Sequence, residues 1–409
     1  MKVLQVNILY NQGSTGKIVS DVHKVLKTKG IESIVCYGAG EKSLEKNVYK
    51  LAGRYELSAY RIWAHIKGLQ YASGFFSTNR LIKLIQKEKP NIVHLHCING
   101  FFINIYRLMN YLKKNRIKTV ITLHAEFLYT GNCGHAFNCE KWKTGCGKCP
   151  NLWQSTYSYY FDRTETAWKM MKEAFSGFDN LSITSVSEWV KKRAEQSPIL
   201  AGHNITAIEN GIDTQNVFKP TNYVGLKEKL GLKDEKIILH VTAKFTKNEN
   251  DLKGGRFIYE LAEKLKNENI KFLIVGSDDR SIEMLDNMIN IGRVTDQIEL
   301  ARFYSMSDLT IITSKRETFN MPTAESLACG TPVVGFIAGG PESIALREYS
   351  EFVKFGEVDK LTEAVKKWLY SKVVNKNEIS ERAAKKYSKE LMSEKYVDIY
   401  NYLNKKGGN

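Results

Sequence analysis

Short uninterrupted apolar runs alternate along the chain with stretches whose apolar positions recur at helical spacing. The run KVLQVNIL is followed by a glycine-containing turn, a helical pattern from about Gly16 to Lys29, and then ESIVCY. Runs of this kind suit strands buried on both faces, and the helices between them supply the cover. The alternation continues through NIVHLH, a helix near Ile103 to Lys114, KTVITLH and LSITSVS, after which Ser187 is placed to cap another helix. Repeated βαβ units of this sort predict a parallel sheet between helices.

The pattern pauses in the polar stretch FKPTNYVGLKEKLGLKDE and restarts with KIILHV, a helix from about Gly255 to Lys266, and IKFLIVG. DLTIITS, a helix opening at Pro322 and closed by Gly330, and TPVVGF follow. The fold class predicted is α/β, with two Rossmann-like doubly wound domains whose parallel sheets face a central cleft. Residues 1–209 form the first domain, 210–380 the second, and 381–409 one long amphipathic helix packing back on the first. Tyr387, Leu391, Tyr396, Ile399, Tyr400 and Leu403 make the apolar stripe of that helix. Ligands of such sheets bind outside the carboxyl ends of the strands, so function is sought in the strand-to-helix loops.

Composition agrees with two cores: 409 residues exceed what one core usually organises, and 43% are hydrophobic. A formal charge of +16 makes anionic partners plausible, whether nucleic acid, an acidic lipid surface or phosphorylated substrates. The lysines are spread along the chain, so a solvated basic surface accounts for the charge equally well. No apolar stretch is long enough to cross a bilayer, and the opening run is broken by Gln5 and Asn7 without a small-residue cleavage site. A cytoplasmic protein is expected, one that at most lies peripherally on the inner face of an anionic membrane. Disorder is expected only from about Lys405 to Asn409.

The densest chemistry lies in SKRETFNMPTAESLACGTPVV, where Glu317 and Glu325 flank a predicted helix start. Pro322 suits the first helical position, which puts Glu325 in the first turn and leaves the amides of Phe319 to Met321 unsatisfied. Amides and helix dipole can meet phosphate or sugar oxygens, while carboxylates accept from hydroxyls. An acid in a first turn also stabilises a helix by about 0.3 to 1 kcal/mol without any ligand, so the pattern alone leaves both readings open. In NILYNQGSTGKIV, Gly13 and Gly16 stand between strand and helix, where amides can approach a phosphate or simply make a tight turn. Asn11 and Ile18 occupy the wrong positions for a Walker loop.

Cys133, Cys139, Cys146 and Cys149 fall within the loop 133–149, four of the seven cysteines of the chain. Four thiolates ending in Cys-x-x-Cys suit a structural zinc ion, with His135 able to replace one; reduced thiols or a redox pair are the alternative. Asp278 and Asp279 form an acidic pair read as solvated.

The stretch 314–334 resembles the Glu-x7-Glu signature of glycosyltransferase family 4, the retaining group with the GT-B fold. IENGIDTQNVFKP, DQIELARFYSMSDLTIITS and FIAGGPESI resemble the segments that accompany that signature, and the likeness spans nearly the whole chain. It implies that Glu325 holds the ribose hydroxyls of a nucleotide-sugar and that Glu317 contacts the transferred sugar beside the amides of Phe319, Asn320 and Met321. Asn320 stands where the family often has glycine, which implies a reshaped sugar pocket. HVTAKFTKNENDLKGG resembles the phosphate-binding loop, so Lys253, with Gly254, and Lys244 are assigned to the diphosphate, Lys247 being the alternative to Lys244. Gly16 is assigned by the same likeness to the donor phosphate. His124, at the end of KTVITLH, matches a histidine that contacts the donor sugar, followed here by Ala125 where an aspartate is frequent.

The resemblance implies no catalytic metal, a UDP- or GDP-sugar donor, a glycan or polyprenyl-linked saccharide acceptor, and no nucleic acid. The cysteine-rich loop resembles a subset of the family associated with capsular, exopolysaccharide or colanic-acid assembly. Two other readings differ in what they leave idle. A sugar-nucleotide epimerase needs no acceptor, and a basic zinc-containing nucleic-acid-binding protein has no use for the paired carboxylates.

Overall fold

The computed structural model describes residues 1–158, 160–277 and 282–405. Two compact units divide the chain: 1–209 together with the segment from Met392 onward, and 210–391. Asp278 and Asp279 lie outside the described residues.

Among the described residues the first unit has seven parallel strands: β1 (Lys2–Asn7), β2 (Glu32–Tyr37), β3 (Val48–Lys50), β4 (Ile92–Leu95), β5 (Thr119–Leu123), β6 (Leu181–Ser185) and β7 (Ile205–Ala207). Their order is β3-β2-β1-β4-β5-β6-β7. The second unit has six: β8 (Lys236–Val241), β9 (Ile270–Val275), β10 (Met288–Gly292), β11 (Leu309–Ile312), β12 (Val333–Phe336) and β13 (Ser350–Val353), in the order β10-β9-β8-β11-β12-β13. Strand order reverses beside β1 and β4 in one sheet and beside β8 and β11 in the other. At such switch points neighbouring connections leave to opposite faces and open a crevice at the carboxyl ends. Central strands are buried throughout, as in β1, where Val3, Leu4 and Val6 have no exposed surface.

Local details differ from the sequence reading in three places. The first helix begins at Gly13 and runs to Thr28, which puts Gly16 inside its first turn. The helix after β11 is Met321–Ala328, so Pro322 is its second residue and Glu325 its fifth, one turn deeper than a first-turn position. The predicted final helix is two, Lys376–Tyr387 and Lys389–Lys405, because Ser388 takes an extended conformation (φ −65°, ψ 139°). Tyr387 is buried in the second unit and donates its hydroxyl to Ile344 O at 2.5 Å, whereas Tyr396 and Tyr400 are buried in the first. Met392 and Ser393 are buried there as well, while Leu391 and Ile399 are only half-buried. Among the described residues no helix is long and apolar enough to cross a membrane.

Candidate active site

In the second unit the loops after β8, β11 and β12 meet at the carboxyl end of the sheet. Gly254 carries φ +68°, and a Cβ there would stand 2.3 Å from Thr313 O, so only glycine lets this loop close on the end of β11. Thr313 Oγ1 donates to Lys253 O at 2.8 Å and Lys315 N donates to Leu252 O at 2.8 Å, fixing the loop backbone. Lys253 Nζ then reaches Glu317, donating to Oε1 at 2.6 Å. Glu317 is itself clamped: its amide donates to Ala338 O at 3.0 Å and its carbonyl accepts from Gly340 N at 2.9 Å. The Glu342 carboxylate holds that second strand of backbone by accepting from Ala338 N at 3.0 Å and Gly339 N at 2.7 Å.

Asn320 sits in the left-handed region at φ 80°, a conformation asparagine tolerates better than most residues. Its Oδ1 accepts from Thr323 N at 3.0 Å and Thr323 Oγ1 at 2.8 Å, which makes it the N-cap of Met321–Ala328. The side-chain oxygen is thus committed to capping the helix. Phe319 is a core side chain, so only its backbone is available. The amides of Phe319, Asn320 and Met321 precede the helix's own hydrogen-bond ladder and carry the positive end of its dipole.

Glu325 is buried and accepts from Tyr304 OH at 2.9 Å. Lys244 is exposed after β8, whereas Lys247 Nζ lies over the ring of Tyr259 at 4.1 Å. His240, beneath this loop on β8, has its Nδ1 3.2 Å from Ile311 O. Burial pushes its pKa down to about 4, helped by the charge of Lys253, so it is neutral at physiological pH.

In the first unit, His124 follows β5 directly and is buried, its Nε2 3.1 Å from His96 Nδ1. His96 in turn stacks with His94, ring centroids 3.8 Å apart. His94 is bound through Nδ1 to Tyr400 OH at 2.6 Å and through Nε2 to Thr122 Oγ1 at 2.8 Å. Burial lowers the pKa of all three, His124 to about 3, so the stack is neutral. Gly16 approaches the chain at Leu9, where a Cβ would stand 3.2 Å from its carbonyl carbon. The first turn of the helix thus packs closely on the loop that follows β1.

The four loop cysteines are partly buried. Cys133 and Cys149 Sγ each lie 3.4 Å from Ser155 Oγ, and Cys146 Sγ lies 3.6 Å from Thr130 O. Burial raises the thiol pKa of Cys133 to about 11 and of Cys146 to about 12. Among the described residues no group of three or more His, Cys, Asp or Glu side chains is placed to hold a metal ion, so these rotamers do not form a tetrahedral zinc set. Glu126 ties the loop down, accepting from Ala136 N at 3.2 Å and from Arg193 Nη2 at 3.1 Å.

Sequence reasoning missed Tyr304, Glu342, His94 and His96. Each lies inside a segment whose strand, helix or resemblance was read, but a supporting hydrogen bond leaves no spacing pattern of its own.

Two doubly wound parallel sheets in separate units, with strand-to-helix loops at their carboxyl ends, make the two-domain GT-B fold. Residues 226–389 match the family described as Glycosyl transferases group 1 and residues 15–216 that described as Glycosyltransferase Family 4; the chain belongs to these glycosyltransferases. It is similar to the putative colanic acid biosynthesis glycosyl transferase WcaC of Escherichia coli (strain K12), 22% identical over 98% of this chain and 100% of the relative. Among solved structures it resembles the sucrose-phosphate synthase from Thermosynechococcus elongatus, with a TM-score of 0.69 and 16% identity over 98% of both chains. It also resembles Anabaena Alr3699/HepE in complex with UDP-glucose, with a TM-score of 0.66 and 14% identity over 98% of this chain and 100% of that one.

Proposed function

We propose that this glycosyltransferase moves a hexose-type sugar from a UDP- or GDP-sugar to a glycan or polyprenyl-linked saccharide, with retention of anomeric configuration. The setting is capsular or exopolysaccharide synthesis at the cytoplasmic side of a bacterial membrane. The observation that carries the reading is the meeting of Lys253 and Glu317 at the amide-rich start of Met321–Ala328. Glu325, on that helix, offers a buried acceptor for ribose hydroxyls, supported by the hydroxyl of Tyr304 from the helix Gln297–Met306. The WcaC name supports the polysaccharide setting, and the UDP-glucose complex of HepE favours a uridine donor.

Breaking the bond from anomeric carbon to phosphate oxygen leaves an electron pair on the nucleoside diphosphate. Cations that meet this charge more strongly in the transition state than in the ground state accelerate the step. Lys253 and Lys244 take that role in this reading, with Lys247 occupied by Tyr259. Arrival of the diphosphate at Lys253 releases the Glu317 carboxylate toward sugar hydroxyls.

A thermal-shift panel of UDP-, GDP- and ADP-sugars tests the donor. Stabilisation by one base class, lost in Lys253→Ala, is the expected result. Turnover of donor without any acceptor would point to an epimerase, and salt-sensitive nucleic-acid retention without sugar-nucleotide binding would replace the reading altogether.

A further inference from the structure

Lys376 opens the helix Lys376–Tyr387, where the positive end of the helix's own dipole disfavours a cation. Asn375 caps that helix, its Oδ1 accepting from Asn377 N at 3.1 Å and Glu378 N at 3.3 Å, so the lysine is not needed to start it. Its Nζ donates instead to Ser305 O and Ser307 O, each at 2.7 Å. These carbonyls belong to the last turn and the C-cap of the helix Gln297–Met306. An ammonium there meets the negative end of a dipole and satisfies acceptors that a helix leaves open. Burial holds the pKa of Lys376 below the ordinary lysine value, and Asp308, whose charge acts the other way, is shared with Lys236 at 3.2 Å.

The same helix end is held from a second side. Thr331 Oγ1 donates to Tyr304 O at 2.7 Å and to Ser307 O at 3.3 Å. Gly330, just before it, carries φ +81°, and a Cβ there would stand 2.5 Å from Lys376 O. The helix that Lys376 opens therefore presses on the turn that ends Met321–Ala328.

Tyr304 precedes Ser305 directly, and its hydroxyl donates to Glu325 at 2.9 Å. Hydrogen bonds between oxygens are confined to about 2.5 to 3.0 Å, so a shift of a few tenths of an ångström in the helix end would weaken this one. We propose that Lys376 is a positioning residue for nucleotide recognition. It fixes the end of Gln297–Met306 so that Tyr304 holds the Glu325 carboxylate where it accepts from ribose hydroxyls, an inference that rests on Glu325 being the ribose acceptor.

Isothermal titration of the full chain with UDP and GDP, each beside its 2′,3′-dideoxy counterpart, reads this contact. For the base that the parent prefers, the ribose form should bind ~tenfold or more tighter than the dideoxy form, because a buried acceptor deprived of its hydroxyls is penalised. Lys376→Met keeps the unbranched stem and removes the ammonium. It should weaken the ribose form by ~tenfold and the dideoxy form by less than ~twofold, so that the preference collapses. A purely structural contribution would lower stability without changing that ratio. Ile379→Val, a cavity at a fully buried position of the same helix, sets the comparison: its melting temperature should fall while its preference for ribose stays. If Lys376→Met does not fold, Thr331→Val, which removes the other clamp on the helix end, carries the same expectation. Parent-like preference in Lys376→Met, with the preference lost in Tyr304→Phe, would overturn the proposal alone. A parent that binds both forms equally, or a Tyr304→Phe variant as selective as the parent, would overturn the reading of Glu325 and the proposal with it.

Discussion

Lys253 Nζ stands 2.6 Å from Glu317 Oε1, joining the loop after β8 to the loop after β11 by one charged hydrogen bond. Lys253 is more than a third exposed, so the pair contributes little to stability, on the order of 0 to 1 kcal/mol. Its value lies in holding an ammonium and a carboxylate where a diphosphate and a sugar hydroxyl would take over as their partners. Lys253→Ala and Glu317→Ala should each leave the melting temperature within a few degrees of the parent while lowering kcat. A charged hydrogen bond to phosphate of about 1.5 to 3 kcal/mol corresponds to a loss on the order of tenfold to a hundredfold for Lys253→Ala. Full activity in both variants would refute the site.

Asn320 provides a different kind of test, because its backbone and its side chain make separate demands. Asn320→Ala keeps the positive φ but removes the cap, and should cost about 1 to 2 kcal/mol in urea unfolding. Asn320→Gly loses the cap but relieves φ, and should cost only a few tenths of a kcal/mol. Donor KM should follow the same order if the turn's amides bind donor. Equal destabilisation by the two substitutions would contradict the capping role.

The pattern of the chain exposes its central strands and hides its edges. β1, β4, β5, β8, β9, β11 and β12 are buried along most of their length and read as continuous apolar runs. β3 and β7 are three residues each, and every described residue of β13 is only half-buried, so no periodicity announces them. The site divides in the same way. Glu317, Lys253 and His124 fall beside strand ends or helix starts, and Glu325 just beyond the first turn of a helix, positions a linear pattern can locate. Tyr304 and His96 act through contacts 21 and 28 residues away, and only folding brings those partners together.

Tyr304→Phe tests that hidden support directly. The variant keeps the ring, which is fully buried, and removes the hydroxyl that donates to Glu325. A buried carboxylate deprived of a donor should cost about 1 to 3 kcal/mol of stability and weaken donor binding in isothermal titration. Unchanged donor affinity would separate Glu325 from the nucleotide.

The expectation of zinc in the loop 133–149 rests on cysteine spacing, not on the present rotamers. Reduced protein purified without chelators should carry about one zinc per chain, less after Cys146→Ser or Cys149→Ser. A metal content near zero would leave free thiols, and alkylation near neutral pH should then be slow at Cys133 and Cys146, whose pKa burial raises.

The histidine stack makes stability depend on pH with a definite sign. His94, His96 and His124 are held below the ordinary histidine pKa by burial, so at mildly acid pH the unfolded chain binds protons that the folded chain refuses. Their folded state is unpenalised above about pH 6.5 and loses stability as pH falls from there toward the folded values, that of His124 being about 3. Each site adds at most about 1.4 kcal/mol per pH unit in that window, so three steepen the decline to roughly 4. Urea unfolding at intervals between neutral and acid pH should show this slope. His96→Asn should flatten it by about one site's share even though it also loses the contact to His124. A His96→Asn profile parallel to the parent's would mean that His96 is already protonated in the folded protein, contrary to its burial between two other imidazoles.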